Sequence, residues 1–135
     1  MVIGSADNAM RLVCSDDIIY TGFVSEEEKW QLMSQAKLLV QPSLYESLSL
    51  VILESMSLKR PVLVNGRCAV LKGQCIRSNA GLYYTDYYEF ELCLNYILSH
   101  ENEYNEMCEN GYRFVKENYN WDYVVENVSS LINEL

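Results

Sequence analysis

The chain has 135 residues, half of them hydrophobic, and ten basic against nineteen acidic side chains give it a formal net charge of −9. A chain of this length builds one core of ordinary size, so a single domain spanning 1–135 is expected. The acidic balance repels phosphate backbones and anionic lipid, which argues against a nucleic-acid or membrane-surface role and means that any phosphate must be held locally.

The apolar runs "AKLLV" and "LSLVILESM" fall well short of the ~20 residues of a spanning helix, and "MVIGSADNAM" carries no basic leader. The expectation is a cytoplasmic protein, in the cytosol or at its membrane face. Five cysteines, at 14, 68, 75, 93 and 108, have no CxxC spacing and read as reduced packing thiols. Cys68 and Cys75 flank "AVLKGQ", with His100 the lone histidine, so no metal site is expected.

Short β-type runs alternate with longer helical patterns, the signature of an α/β fold with a parallel sheet and crossover helices. "MVIGS" reads as a strand, "ADNAMRLVCSDD" as a connection or short helix, and "DIIYTGFV" as a second strand. "SEEEKWQLMSQA" opens a helix with Ser25 as cap and Glu28 three residues later, a capping box, and Trp30, Leu32, Met33 and Ala36 form its apolar stripe. "KLLVQPS" has the continuous apolar character of a strand buried on both faces, stopping at Pro42. "LSLVILESMSLK" is apolar around most of its circumference, as a central helix is. "RPVLVN", with Pro61 first, and "AGLYY" are further strands. From Asp86 onward "DYYEFELCLNYILSH", "ENEYNEMCENGYRFVKENY" and "WDYVVENVSSLINEL" carry helical spacing. Most of the eleven tyrosines fall in or beside these helices, where a ring in the core with its hydroxyl at the surface is the expected use.

The segment "QPSLYESLSLVILESMS" raises the chemical question, because Glu46 and Glu54 stand in an otherwise apolar or serine-rich run. Unpartnered carboxylates are costly to bury. Two readings are open. In one, Ser43 and Glu46 form a capping box and Glu54 is a solvated or salt-bridged helix position. In the other, the helix begins near Ser47, Glu46 stays in the loop, and Glu54 lies two turns into the helix facing the crevice at the carboxyl ends of the strands. Helix-terminal amides there can hold an anion without lysine or arginine, and a carboxylate can accept from two vicinal hydroxyls at once.

The ordered set Gly22-Phe23-Val24, Ala36, Pro42-Ser43, the E-x7-E pair Glu46 and Glu54, and Pro61-Val62, followed by "NAGLYY" and "ENYNWDYVV", resembles the C-terminal, nucleotide-sugar-binding half of retaining glycosyltransferases of the GT-B fold, the family-4 type called glycosyltransferases group 1. The resemblance covers nearly the whole chain. It implies a Rossmann-like parallel sheet, one half of a GT-B fold, and transfer of a sugar from a nucleotide diphosphate with retention at the anomeric carbon, without a metal or other cofactor. Glu54 is the implied ribose-binding acid and Glu46 the implied catalytic acid beside the donor sugar. The backbone of Ser47, Leu48, Ser49 and Leu50 is implied to line the diphosphate and sugar, with Phe23 and Val24 near the nucleobase. The family commonly has glycine where this chain has Ser47 and Ser49.

The resemblance further implies a diphosphate-gripping arginine and lysine and an N-terminal acceptor domain, none of which lies within 1–135. A truncated donor-binding half that transfers nothing by itself is therefore the expectation, with the nucleotide sugar and the missing domain as partners. The implied role is glycan or polysaccharide synthesis. An epimerase of the same fold is one alternative, needing bases where only His100 is available. A non-catalytic Rossmann-like interaction module with structural glutamates is the other. Arg67, Lys72 and Arg77 make "VNGRCAVLKGQCIRSN" the most basic stretch. It reads as a surface loop with a short helix, or as a positive lip over donor or acceptor. His100 reads as a helix C-terminal residue favourable to the dipole.

Overall fold

The computed structural model describes residues 1–3 and 17–120. In chain order the elements are β1 (Val2–Ile3), β2 (Tyr20–Gly22), α1 (Glu26–Gln35), β3 (Leu39–Gln41), α2 (Leu50–Ser57), β4 (Val62–Asn65), α3 (Ala69–Ser78), β5 (Gly81–Tyr84), α4 (Tyr87–Ser99) and α5 (Glu101–Asn118). This is the expected α/β alternation. The stretch expected as a connection at 6–17 lies almost wholly outside the described residues, as does the tryptophan helix at 121–135. The chain divides into two compact units, residues 1–32 and 33–135, with α1 running across the division.

In the first unit β1 and β2 pair in parallel, Val2 with Tyr20 and Ile3 with Gly22. Gly22 closes β2 at φ 70°, a left-handed conformation that a side chain would strain. The capping box at the start of α1 forms as expected. Glu28 N–H donates to Ser25 Oγ at 3.2 Å, and Ser25 returns its own N–H and hydroxyl to Glu28 Oε2 at 2.8 and 2.9 Å. The Ser25 hydroxyl thus satisfies one orphan donor of the first turn, and the Ser25 N–H first and its hydroxyl second hold the Glu28 carboxyl below its ordinary range.

In the second unit β3, β4 and β5 form a parallel sheet in that order, Leu39 pairing with Val62 and Val62 with Gly81. Val62, Leu63 and Val64 are fully buried, so the strand covered on both faces is the central one, β4. "KLLVQPS" departs from its expected burial: β3 is an outer strand of this sheet and Val40 is exposed. Ile52, Leu53 and Met56 of α2, Leu71 and Cys75 of α3, and Ala80 complete the core around β4.

The basic stretch also differs from its expected form. Residues 69–78 are a ten-residue helix, α3, that buries Leu71, Gln74, Cys75 and Ser78. Burial pushes the Cys75 thiol up to about 12. The C-terminal helices appear where their spacing put them, α4 capped by Asp86, which accepts from Glu89 N–H at 2.9 Å. His100 links α4 to α5, its Nδ1 3.0 Å from Tyr96 O and its ring stacked on Tyr96 at 4.1 Å. The tyrosines are less buried than expected, Tyr87 and Tyr88 being mostly exposed at the start of α4.

Two close approaches fix the packing. Gly81 lies against Val62, and Gly111 of α5 lies against Ala80 and Met56, where a methyl would meet their side chains at 3.0–3.2 Å. The far end of α2 is tied to the same helix. Lys59 takes a left-handed φ of 56° and pairs with Glu109 at 2.7 Å.

Candidate functional site

The segment 42–49 runs from the carboxyl end of β3 into α2, the position where open parallel α/β sheets form their ligand crevice. Its conformation decides between the two readings of the glutamates. No capping box forms between Ser43 and Glu46, because α2 starts later, at Leu50, and its N-cap is Ser49 rather than Ser47. Glu46 stays in the loop, half-buried, accepting from Gln41 Nε2 at 3.1 Å. Glu54 is the fifth residue of α2, one turn in rather than two, and is half-buried.

Of the other expected site residues, Ser47, Leu48 and Leu50 are exposed, while Ser49 is buried. The Ser49 hydroxyl does not cap α2 and has no partner among the described residues. A buried hydroxyl left without a hydrogen bond is costly, which sets Ser49 apart from the exposed residues on either side of it. Glu46, Ser47, Leu48, Ser49, Leu50 and Glu54 thus share one loop and helix. Phe23 and Val24 belong to the first unit, immediately after β2, with Phe23 86% exposed.

Residues outside the expected set also shape this region. Asn65, at the carboxyl end of β4, donates from Nδ2 to Pro42 O at 3.0 Å and accepts the Arg67 N–H at its Oδ1, also at 3.0 Å. One amide therefore joins the loop after β3 to the loop after β4. Between them lies a groove of about 480 Å³, walled by residues 44–47 on one side and 67–70 on the other. The signal for Asn65 was its place at a strand terminus, and that for Arg67 was the basic run. Among the described residues no three His, Cys, Asp or Glu side chains gather as a metal site. No described helix is long and apolar enough to cross a membrane.

Comparison with known proteins adds to this geometry. A solved structure of sucrose-phosphate synthase from Thermosynechococcus elongatus superposes with a TM-score of 0.80 at 22% identity, covering 98% of this chain and 37% of that one. The similarity establishes a shared fold, the parallel α/β half expected of the GT-B architecture. Alpha-D-kanosaminyltransferase of Streptomyces kanamyceticus is 44% identical over 54 residues, covering 38% of this chain and 14% of that protein. The chain thus spans a minor part of each relative's length. The family model described as Glycosyl transferases group 1 matches residues 7–114, most of the sequence. By that match, and with a fold that agrees, the chain belongs to the group 1 glycosyltransferases.

Proposed function

We propose that this chain is the C-terminal, donor-binding half of a retaining, family-4 type glycosyltransferase that takes its sugar from a nucleoside diphosphate. The observation that carries the proposal is the buried, unpartnered Ser49 hydroxyl at the N-terminus of α2, with Glu46 in the loop before it and Glu54 one turn behind. An anion at that helix end meets free backbone N–H groups and the positive end of the dipole, so a diphosphate can be held there despite the acidic chain. Ser49 then supplies a hydroxyl donor in place of the close backbone approach that glycine gives elsewhere in the family. The two oxygens of Glu54 suit the two ribose hydroxyls of the donor.

In the reaction the bond between the anomeric carbon and the diphosphate oxygen breaks, charge grows on the leaving diphosphate, and the acceptor hydroxyl bonds to the same face of the sugar as its proton passes to the departing diphosphate. Preorganised α2 amides stabilise the leaving group at the moment its charge develops, a role that a metal ion fills in other transferases. Glu46 lies beside the reacting carbon, where its negative charge favours a positively charged transition state. The facing wall of the cleft, with most of the acceptor's contacts, belongs to an N-terminal domain, so residues 1–135 bind donor and transfer nothing by themselves. The full-length enzyme works in the cytoplasm in glycan or polysaccharide synthesis.

The test is an amide NMR titration of the chain with UDP, GDP, ADP and their sugar conjugates, on the parent and on Glu54→Gln. Shifts concentrated in 44–54 for one nucleotide, weakened about tenfold or more by the substitution, are expected for loss of a charge-assisted contact. A loop unmoved by every nucleotide at millimolar concentration, also in a chain lengthened by a donor-gripping N-terminal extension, refutes the proposal and leaves both glutamates structural.

A further inference from the structure

The groove beside Glu46 has features that donor binding leaves unused. Tyr45, on one wall, is 91% exposed, although a ring of its size usually covers much of its area against other side chains. Arg67, on the other wall, is exposed, and among the described residues its guanidinium makes no hydrogen bond or ion pair; only its backbone N–H is used, by Asn65. In a chain with nineteen acids, an arginine held away from all the described ones is available for a ligand's anion. Glu46 and Arg67 line one groove and form no ion pair across it, Glu46 being turned to Gln41 instead.

An exposed aromatic face, a carboxylate and a free guanidinium around about 480 Å³ match one kind of ligand. The axial C–H face of a pyranose is apolar with slightly positive hydrogens, and it suits the negative face of a tyrosine ring. Sugar hydroxyls donate to carboxylates. A planar guanidinium binds the oxygens of a carboxylate or phosphate in pairs.

We infer that the groove is an acceptor subsite for a sugar bearing an acidic group, with Tyr45 stacked on the ring, Arg67 on the anion and Glu46 accepting from a hydroxyl. The inference rests on the proposed place of Glu46 beside the donor sugar, since an acceptor must lie next to the bond that breaks. It makes the acceptor an acidic saccharide, either a uronic acid or a sugar phosphate.

The experiment titrates the 135-residue chain with methyl glucuronide, glucose 6-phosphate, methyl glucoside and UDP, in the parent and in Arg67→Gln, Tyr45→Ala and Glu54→Gln. All shifts are read by amide NMR. The expected result is that the two acidic sugars move residues 44–47 and 67–70 at about tenfold lower concentration than the neutral glucoside. Arg67→Gln should abolish that difference and leave the UDP shifts intact, while Tyr45→Ala should weaken all three sugars about tenfold. Whichever acidic sugar binds more tightly identifies the anion. The inference is overturned if no sugar moves the groove at about 100 mM, or if Arg67→Gln weakens UDP and leaves the glucuronide unchanged. Either result can occur with Glu54→Gln still abolishing UDP shifts, in which case donor binding stands and only the acceptor subsite falls. Silence toward UDP in the parent tells against the donor reading instead.

Discussion

Replacing Gly81 by alanine tests the packing of the sheet that carries the site. The added methyl would lie 1.8 Å from Val62 O and 2.7 Å from Val62 C, both backbone atoms of the central strand. An ordinary carbon–oxygen contact is about 3.3–3.6 Å, so one strand must retreat by more than about 1 Å. Overpacking costs ~1–3 kcal/mol where side chains can yield, and here the neighbour is backbone in the β4–β5 ladder, so a loss of about 3 kcal/mol or more is expected. With a urea m-value of about 2 kcal/mol/M, the midpoint should fall by roughly 1.5 M. Gly73→Ala is the matched control. Gly73 lies inside α3 with nothing within 4 Å of an added methyl, and replacing it should raise stability by about 0.5–1 kcal/mol. The two variants, followed by circular dichroism through urea denaturation, should therefore move in opposite directions. A Gly81→Ala midpoint within about 0.5 M of the parent at unchanged m would refute the argument that β5 is held against Val62 by the absence of a side chain.

Asp86→Ala removes the side-chain cap of α4 and should cost ~0.5–2 kcal/mol by the same assay, whereas Asp86→Ser should restore most of it. Ser25→Ala removes the hydroxyl but keeps the backbone N–H, the larger cause of the depression, so the Glu28 carboxyl should rise only part of the way to its ordinary value when its titration is followed by NMR. The sign follows from that depression: in the parent the favourable interaction is present above the unfolded-state value and is lost as pH falls through the lower folded-state value. At pH 8 Cys75, at about 12, should stay unmodified by iodoacetamide in the folded chain and react only after unfolding, as peptide mass mapping would show. Rapid labelling of Cys75 in native buffer would contradict the burial that raises it.

The elements most legible in the sequence are those whose local signals agree with their tertiary place. Ser25 and Glu28 spell a capping box and form one, and the apolar run of β4 sits in the middle of a sheet. β3 carries the same kind of run but lies at the sheet's outer position, a distinction that depends on strand order rather than composition. α3 was obscured because two of the four residues on its buried stripe are polar, Gln74 and Ser78, and Gly73 interrupts it. At the site, Ser43 and Glu46 imitate a capping box, yet Glu46 is engaged by Gln41, and α2 waits until Leu50. That contact joins a strand residue to a loop residue, and no periodicity reports it. Arg67 was visible as charge. Its place opposite Tyr45 required β4 and α3 to be folded.

The attachment of α2 to α5 also determines where the site can give. Met56 is wedged at Gly111 and Lys59 is tethered to Glu109, so α2 is clamped at the end away from Glu46. Sliding the helix along its axis would break both anchors together. The eight residues 42–49, in contrast, have no regular secondary structure and are fastened chiefly through Gln41 and Asn65. A conformational adjustment of this region is therefore expected in 42–49 rather than in α2, with Glu54 on the clamped helix as the fixed point and Glu46 in the loosely fastened span.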